Sequence, residues 1–276
     1  MNSSEGTSAE RTRARAERYI NACNEYALPF EREKLIDGWV SKERKAAGLI
    51  ADFKERAGNP AGARLLEIGF GGGTQLAAFA GVGALVSGLE VNSVLLDIAK
   101  EVFSERGIPS DRLLLYDGVR IPFPDASFDY VFTTSVLEHV SHPRKLLLEI
   151  ARVLKPGGKF YLSFPNRWAP RETHSGVWFI SYLPLPLAEF IFRRFLGRNT
   201  VKELNLHFLS YFKLRRLMRG TGFTVLFETG SKTGIRRMLK RFLAALGIHQ
   251  SALLKTVMVV LQKNAERADG EATLRS

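Results

Sequence analysis

Glycines crowd positions 69, 71, 72 and 73, and the next acid along the chain is Glu90, seventeen residues beyond Gly73. Glycine lets a backbone turn tightly and come close to a ligand, and the N–H groups at the start of a following helix face that ligand. A carboxylate at this spacing meets ribose hydroxyls in nucleotide-binding sheets. Further along stand Asp117-Gly118, Thr133-Thr134 and the pair Glu138-His139. If the chemistry needs a general base, His139, His174 and His207 are the side chains suited to take a proton near neutral pH.

Short elements must position these groups. Leu65, Leu66 and Ile68 form an apolar run of the kind a buried parallel strand shows. Thr74 reads as the N-cap of a helix through Leu76–Phe79. Ala84–Leu89 reads as a second strand ending in Glu90, and Asn92 as the cap of a helix from Ser93 to about Arg106. Arg112–Tyr116 and Tyr130–Thr133 read as further strands, followed by a helix over Arg144–Leu154, a turn over Leu154–Gly158 and a strand over 159–164. Phe223–Glu228 and Thr256–Gln262 read as a closing antiparallel pair. Alternating strands and helices predict an α/β fold, a doubly wound parallel sheet. Such sheets gather ligands at the carboxyl ends of their strands, where Thr134 stands.

The ligand could be a dinucleotide or S-adenosylmethionine. A dinucleotide fingerprint wants a glycine at position 74, and Thr74 stands there. The pattern Glu67-x-Gly69-x-Gly71-x-Gly73 instead resembles motif I of the class I S-adenosylmethionine-dependent methyltransferases. Ile121-Pro-Phe-Pro-Asp-Ala-Ser-Phe-Asp129, Ser135-Val-Leu-Glu-His-Val140 and Leu154-Lys-Pro-Gly-Gly158 extend the resemblance across residues 64–165. It implies a Rossmann-like seven-stranded sheet with S-adenosylmethionine as methyl donor. It also implies that Glu67, Gly69, Gly71 and Gly73 surround the methionine part, that Glu90 accepts from both ribose hydroxyls, and that Asp117 and Gly118 take the adenine. Asp129 is expected to cap its loop. Some relatives hold a metal in a Glu-x-x-Glu-His array; Ser135 replaces the first Glu here, so no metal is expected.

Length and composition bound the rest. With 276 residues the chain can bury one substantial core. The expected organisation is a helical N-terminal extension over 1–60, a catalytic domain over 61–263 with an acceptor-side helical insertion at 166–206, and a disordered tail over 264–276. Residues 1–9 are also expected to be disordered, with helices over Glu10–Tyr26 and Glu31–Arg56. A single cysteine, Cys23, and no apolar leader or membrane-length run point to a cytoplasmic protein, with peripheral membrane contact as an option.

The formal charge of +12 is unevenly placed: residues 1–165 carry 21 basic and 21 acidic side chains, and residues 166–276 carry 19 and 7. The insertion mixes Trp168, Trp178, Phe179, Tyr182, Phe190, Phe192 and Phe195 with Arg167, Arg171, Arg193, Arg194 and Arg198. Residues 232–243 read as a second basic amphipathic segment. These features favour a small-molecule or lipid-like acceptor and contact with an anionic membrane surface. A nucleic-acid acceptor is the less favoured reading, and a cofactor-binding partner without catalysis is the third.

Overall fold

The computed structural model describes residues 3–23, 32–172, 175–195, 206–228 and 254–265. Its strands are β1 (Arg64–Ile68), β2 (Leu85–Glu90), β3 (Leu113–Leu115), β4 (Phe128–Thr134), β5 (Leu154–Pro165), β6 (Phe223–Glu228) and β7 (Thr256–Lys263). They form one seven-stranded sheet in the order β3-β2-β1-β4-β5-β7-β6. The first five pair in parallel, and β7 lies antiparallel between β5 and β6. The order reverses at β1, the place where a doubly wound sheet opens a crevice. The expected fold class is the one observed.

Helices cover both faces: α1 (Ser3–Cys23), α2 (Arg32–Val40), α3 (Lys42–Arg56), α4 (Thr74–Gly81), α5 (Ser93–Glu105), α6 (Pro143–Val153), α7 (Leu185–Phe195) and α8 (Tyr211–Met218). Alternation along each strand divides the core. Leu66 and Val131 join Leu147, Ile150 and Leu214 of α6 and α8 on one face. Leu65 and Phe132 join Phe53, Phe79 and Phe103 of α3, α4 and α5 on the other. The Phe53 ring lies 5.0 Å from Phe79, 5.2 Å from Tyr130 and 5.4 Å from Tyr161, so α3 is built into the sheet's packing. Trp39 of α2 joins Ala16 and Ile20 of α1 and Leu95 and Ile98 of α5.

Several expectations are corrected. The N-terminal helix starts at Ser3, so residues 3–9 are ordered as helix; no proline interrupts them, and a helix anchored by Ala16 and Ile20 propagates backwards readily. The second leading helix divides into α2 and α3 at Ser41, whose hydroxyl donates to the Gly38 carbonyl at 2.8 Å, a bond that bends helices. Residues 154–158 belong to β5, with a register shift opposite Phe128 and Tyr130. Asn92 caps α5 as expected, accepting from the Val94 and Leu95 N–H groups. Asp129 accepts from the Arg64 N–H at 2.8 Å and from Lys155 Nζ at 2.6 Å. The segment 232–243, His174 and nearly all of the expected tail lie outside the described residues. No described helix is long and apolar enough to cross a membrane.

Thr74 does not cap α4. Gly73 is the N-cap, at φ 73°, and no side chain caps the helix. Side-chain capping needs an extended backbone at the cap, whereas this turn enters the helix from the left-handed region. A Cβ at Gly73 would fall 2.7 Å from Ala99 Cβ and 3.1 Å from Ala99 Cα, so α4 and α5 leave no room for one. Gly73→Ala combines left-handed strain with overpacking and should cost roughly 2–4 kcal/mol. Thermal unfolding followed by circular dichroism checks this; an unchanged midpoint would show that the turn has another way to close.

Candidate functional site

Strand register brings the chemistry into one row. Leu115 pairs with Glu90 across β3 and β2, Leu89 with Ile68 across β2 and β1, and Glu67 with Phe132 across β1 and β4. One residue beyond those pairs, the carboxyl edge presents Glu90 beside Gly69, with Thr134 and the Asp117 turn close by. A cavity of about 510 Å³ opens there. That volume is in the range of small-molecule sites.

Glu90 is 5% exposed and shapes the cavity floor. One carboxylate oxygen accepts from the Gly71 N–H at 2.9 Å, and the other accepts from the Val91 and Asn92 N–H groups at 2.8 and 3.2 Å. Burial pushes its carboxyl above the usual 4.5, and the three backbone donors pull it back only in part. Tyr116, next to it, is pushed up to about 12 by burial and by the charges of Glu90 and Asp117. Asp117 is exposed and accepts from the Val119 and Arg120 N–H groups at 2.8 and 3.0 Å, which hold its carboxyl below the usual range. Thr134 donates to Gln75 of α4 at 3.1 Å.

Six of the eight expected cofactor residues line the cavity: Gly69, Gly71, Glu90, Asp117, Gly118 and Thr134. Glu67 and Gly73 do not. Glu67 is buried within β1, and Gly73 serves the contact between α4 and α5. Of the expected bases, His139 is on the cavity wall. His207 is elsewhere: its N–H donates to the Glu138 carbonyl at 2.7 Å, and burial and then Lys213 push its imidazole below the usual 6.5.

Other lining groups carry no motif in the sequence. Tyr19, Ala22 and Cys23 come from α1, and His142 and Lys145 from the start of α6. Tyr19 lies over the glycine turn, where a Cβ at Gly71 would fall 3.0 Å from its ring. Asn92 ties α1 down by donating to the Ala22 carbonyl at 3.1 Å. The amphipathic pattern of α1 says that it packs, but nothing in it says on what. Ser135 sits at φ 55° where β4 ends, and its N–H donates to the Ser163 carbonyl at 2.9 Å.

The donor set suits an adenosyl ligand with a methionine tail. Glu90 offers acceptor oxygens at the strand end, Asp117 and Gly118 flank the adjoining wall, and the turn at Gly69 and Gly71 leaves a cradle that a side chain would fill.

Comparison with known proteins agrees. Residues 66–162 match the family model described as a methyltransferase domain. The chain is 31% identical over 186 residues to a ubiquinone biosynthesis O-methyltransferase of Thiobacillus denitrificans, covering 61% of this chain and 78% of that one. It is 35% identical over 133 residues to the ubiquinone/menaquinone biosynthesis C-methyltransferase UbiE of Cupriavidus necator, covering 47% of this chain and 54% of the relative, about half its length. The fold is similar to that of the [4+2]-cyclase SpnF, with a TM-score of 0.54 and 22% identity over 79% of this chain and 80% of that one.

Glu90 gives a pH test of this geometry. Its folded-state pKa is raised, so the protonated form is favoured in the fold: the stabilisation is fully present below 4.5 and is lost as pH rises through the raised value. Glu90→Gln does not titrate. The variant's melting temperature should therefore gain on the wild type as pH rises from 4 to 7, whatever the offset from placing an amide among donors. A difference independent of pH would show that burial does not control this carboxyl.

Proposed function

The chain belongs to the S-adenosylmethionine-dependent methyltransferase family, and we propose that it methylates a small-molecule or lipid-like acceptor at oxygen or carbon. The observation that carries the reading is the convergence of Glu90, Asp117 and the Gly69–Gly71 turn on one cavity that also reaches His139. In this reading Glu90 accepts from the ribose hydroxyls and Asp117 with Gly118 meets the adenine. The turn at Gly69 and Gly71 and the hydroxyl of Thr134 border the methionine part, and Tyr19 of α1 covers that turn. When bound, S-adenosylmethionine supplies a methyl group already activated on a sulfonium. The residues then have to orient the acceptor and exclude water, with a proton acceptor needed only where an O–H reacts.

Among the described candidates His139 is the base of choice, because it shares the cavity with Glu90. His207 packs against the backbone at Glu138 and serves the loop's position instead. Relatives named for quinone biosynthesis favour an acceptor with a phenolic or quinone ring and an apolar tail. Both O- and C-methyltransferases are among them, so the atom methylated stays open between oxygen and carbon. Exposed aromatics in the insertion after β5 fit such an acceptor better than a phosphate-tracking groove.

S-adenosylhomocysteine should bind with micromolar affinity by calorimetry. Glu90→Ala should weaken it about 10- to 100-fold, roughly 1.5–3 kcal/mol, by removing the shared acceptor. Binding of NAD in place of either adenosyl ligand would overturn the assignment. Turnover is read by incubating the protein with methyl-labelled donor and a panel of catechol, quinol and RNA acceptors. Label in the organic extract of the phenolic set, lost in His139→Ala for O–H acceptors, supports the reading. Label in RNA alone replaces the acceptor class. Binding without any labelled product favours a non-catalytic partner.

A further inference from the structure

Helix α7 is apolar on two opposite sides. Its inner face buries Ala188 and Phe192 against Ile180, Leu206 and Phe208. The opposite face should be polar. It carries Leu187, 45% exposed, and Phe190, 57% exposed, with Arg194 between them on the helical wheel. Just ahead, Trp178 and Phe179 are 63% and 58% exposed, their rings 5.9 Å apart, and Tyr182 stacks edge-on to Phe179 at 5.8 Å. Phe179 sits at φ 57°, a backbone region that a bulky side chain rarely adopts. The fold tolerates that strain while leaving the Phe179 ring outside the core, and a patch of this kind marks an interaction surface.

We propose that the Trp178–Phe179 loop and the outer face of α7 form a docking surface for an anionic phospholipid bilayer. Charge selects this occupant. Arg193 and Arg194 are exposed at the end of α7, with Arg194 lying 5.7 Å over the Phe195 ring. The one acid between Ser175 and Phe195 is Glu189, whose carboxylate oxygens are buried. Rings with cations at their border and no exposed acid match the headgroup zone of a membrane. There aromatic side chains settle at the interface, and arginine stems lie along the apolar layer with their heads among phosphates. A nucleic acid would leave Leu187, Phe190 and Trp178 facing water. The patch follows β5 by about a dozen residues, and the Ser163 end of that strand pairs with Thr134 of the cavity wall, so the chain leaves the sheet at the cavity's edge before it reaches the patch. This surface is argued from its own residues and stands whether or not the acceptor is a lipid.

The test uses the full chain and vesicles of phosphatidylcholine with and without phosphatidylglycerol, at low salt. The protein should sediment with the phosphatidylglycerol vesicles and remain in solution with phosphatidylcholine alone. Arg193→Glu with Arg194→Glu should weaken the association at least about 30-fold, the equivalent of about 1 kcal/mol for each of two arginines. Trp178→Ser with Phe190→Ser should abolish it, while S-adenosylhomocysteine binding stays at the wild-type level. If that pair fails to fold, the wild type still decides: vesicles carrying brominated lipid should quench and blue-shift the tryptophan emission. Absence of vesicle binding by the wild type overturns the proposal. So does vesicle binding that ignores both double variants, or concentration-dependent dimerisation abolished by Trp178→Ser with Phe190→Ser in place of vesicle binding.

Discussion

The hydrogen bond from the Gly71 N–H to the Glu90 carboxylate ties together the two features on which the site depends. It joins the turn after β1 to the end of β2, adjacent strands beside the β1–β4 boundary at which the sheet order reverses. A buried carboxylate costs free energy unless donors meet it, and here three backbone N–H groups do. One of those donors, the Gly71 N–H, is presented by a turn that runs through left-handed glycines at 69, 71 and 73. The carboxylate consequently has a fixed position at the carboxyl edge, with oxygens still bordering the cavity. Sheet, turn and acid are mutually conditional: a side chain at Gly71 would crowd the Tyr19 ring and strain a left-handed backbone, and without the acid the turn's N–H would lose its acceptor.

Fold and chemistry are separate questions for this architecture. A [4+2]-cyclase and two quinone-biosynthesis methyltransferases are all among the proteins this chain resembles, one by fold and two by sequence. What places this chain in the methyltransferase family is its 31% identity to an O-methyltransferase of which it covers 78%, and the family model over 66–162 agrees. Around the sheet, this chain adds α1 to α3 before β1 and a long segment between β5 and β6.

Local rules made the sheet readable in advance. Apolar runs marked the strands, Asn92 announced α5 through its cap, and the acid at Glu90 followed the glycines at the right distance. The same rules failed where a residue's role depends on what is packed against it. Thr74 has the chemistry of a cap, but the backbone conformation belongs to Gly73. Gly73 matched the ligand motif, yet Ala99 is the reason that it must be glycine. His207 is as suitable a base as His139 by type alone. Only the fold shows that its backbone is engaged by Glu138 and that burial, then the charge of Lys213, holds its imidazole below the usual range. Tyr19 had no signal at all, since an exposed-looking aromatic fifty-two residues before Gly71 acquires its role through the docking of α1 on α5.

That docking rests mainly on apolar burial. Arg18–Glu101 is half exposed on both sides, and such pairs contribute at most about 1 kcal/mol. Arg15–Glu105 has one buried partner, while Ala16 and Ile20 are fully enclosed against Leu95 and Ile98. The helix that covers the glycine turn is therefore held by its stripe of small and branched side chains, and Ile20 of that stripe lies within one turn of the residues that line the cavity. Chain topology sends the segment after β5 out at the same edge of the sheet, because β5 ends beside β4 and the next strand to pair with it, β7, comes only after α7, α8 and β6. Among the described residues that excursion carries exposed aromatic rings at Trp178, Phe179 and Phe190 and exposed arginines at Arg193 and Arg194.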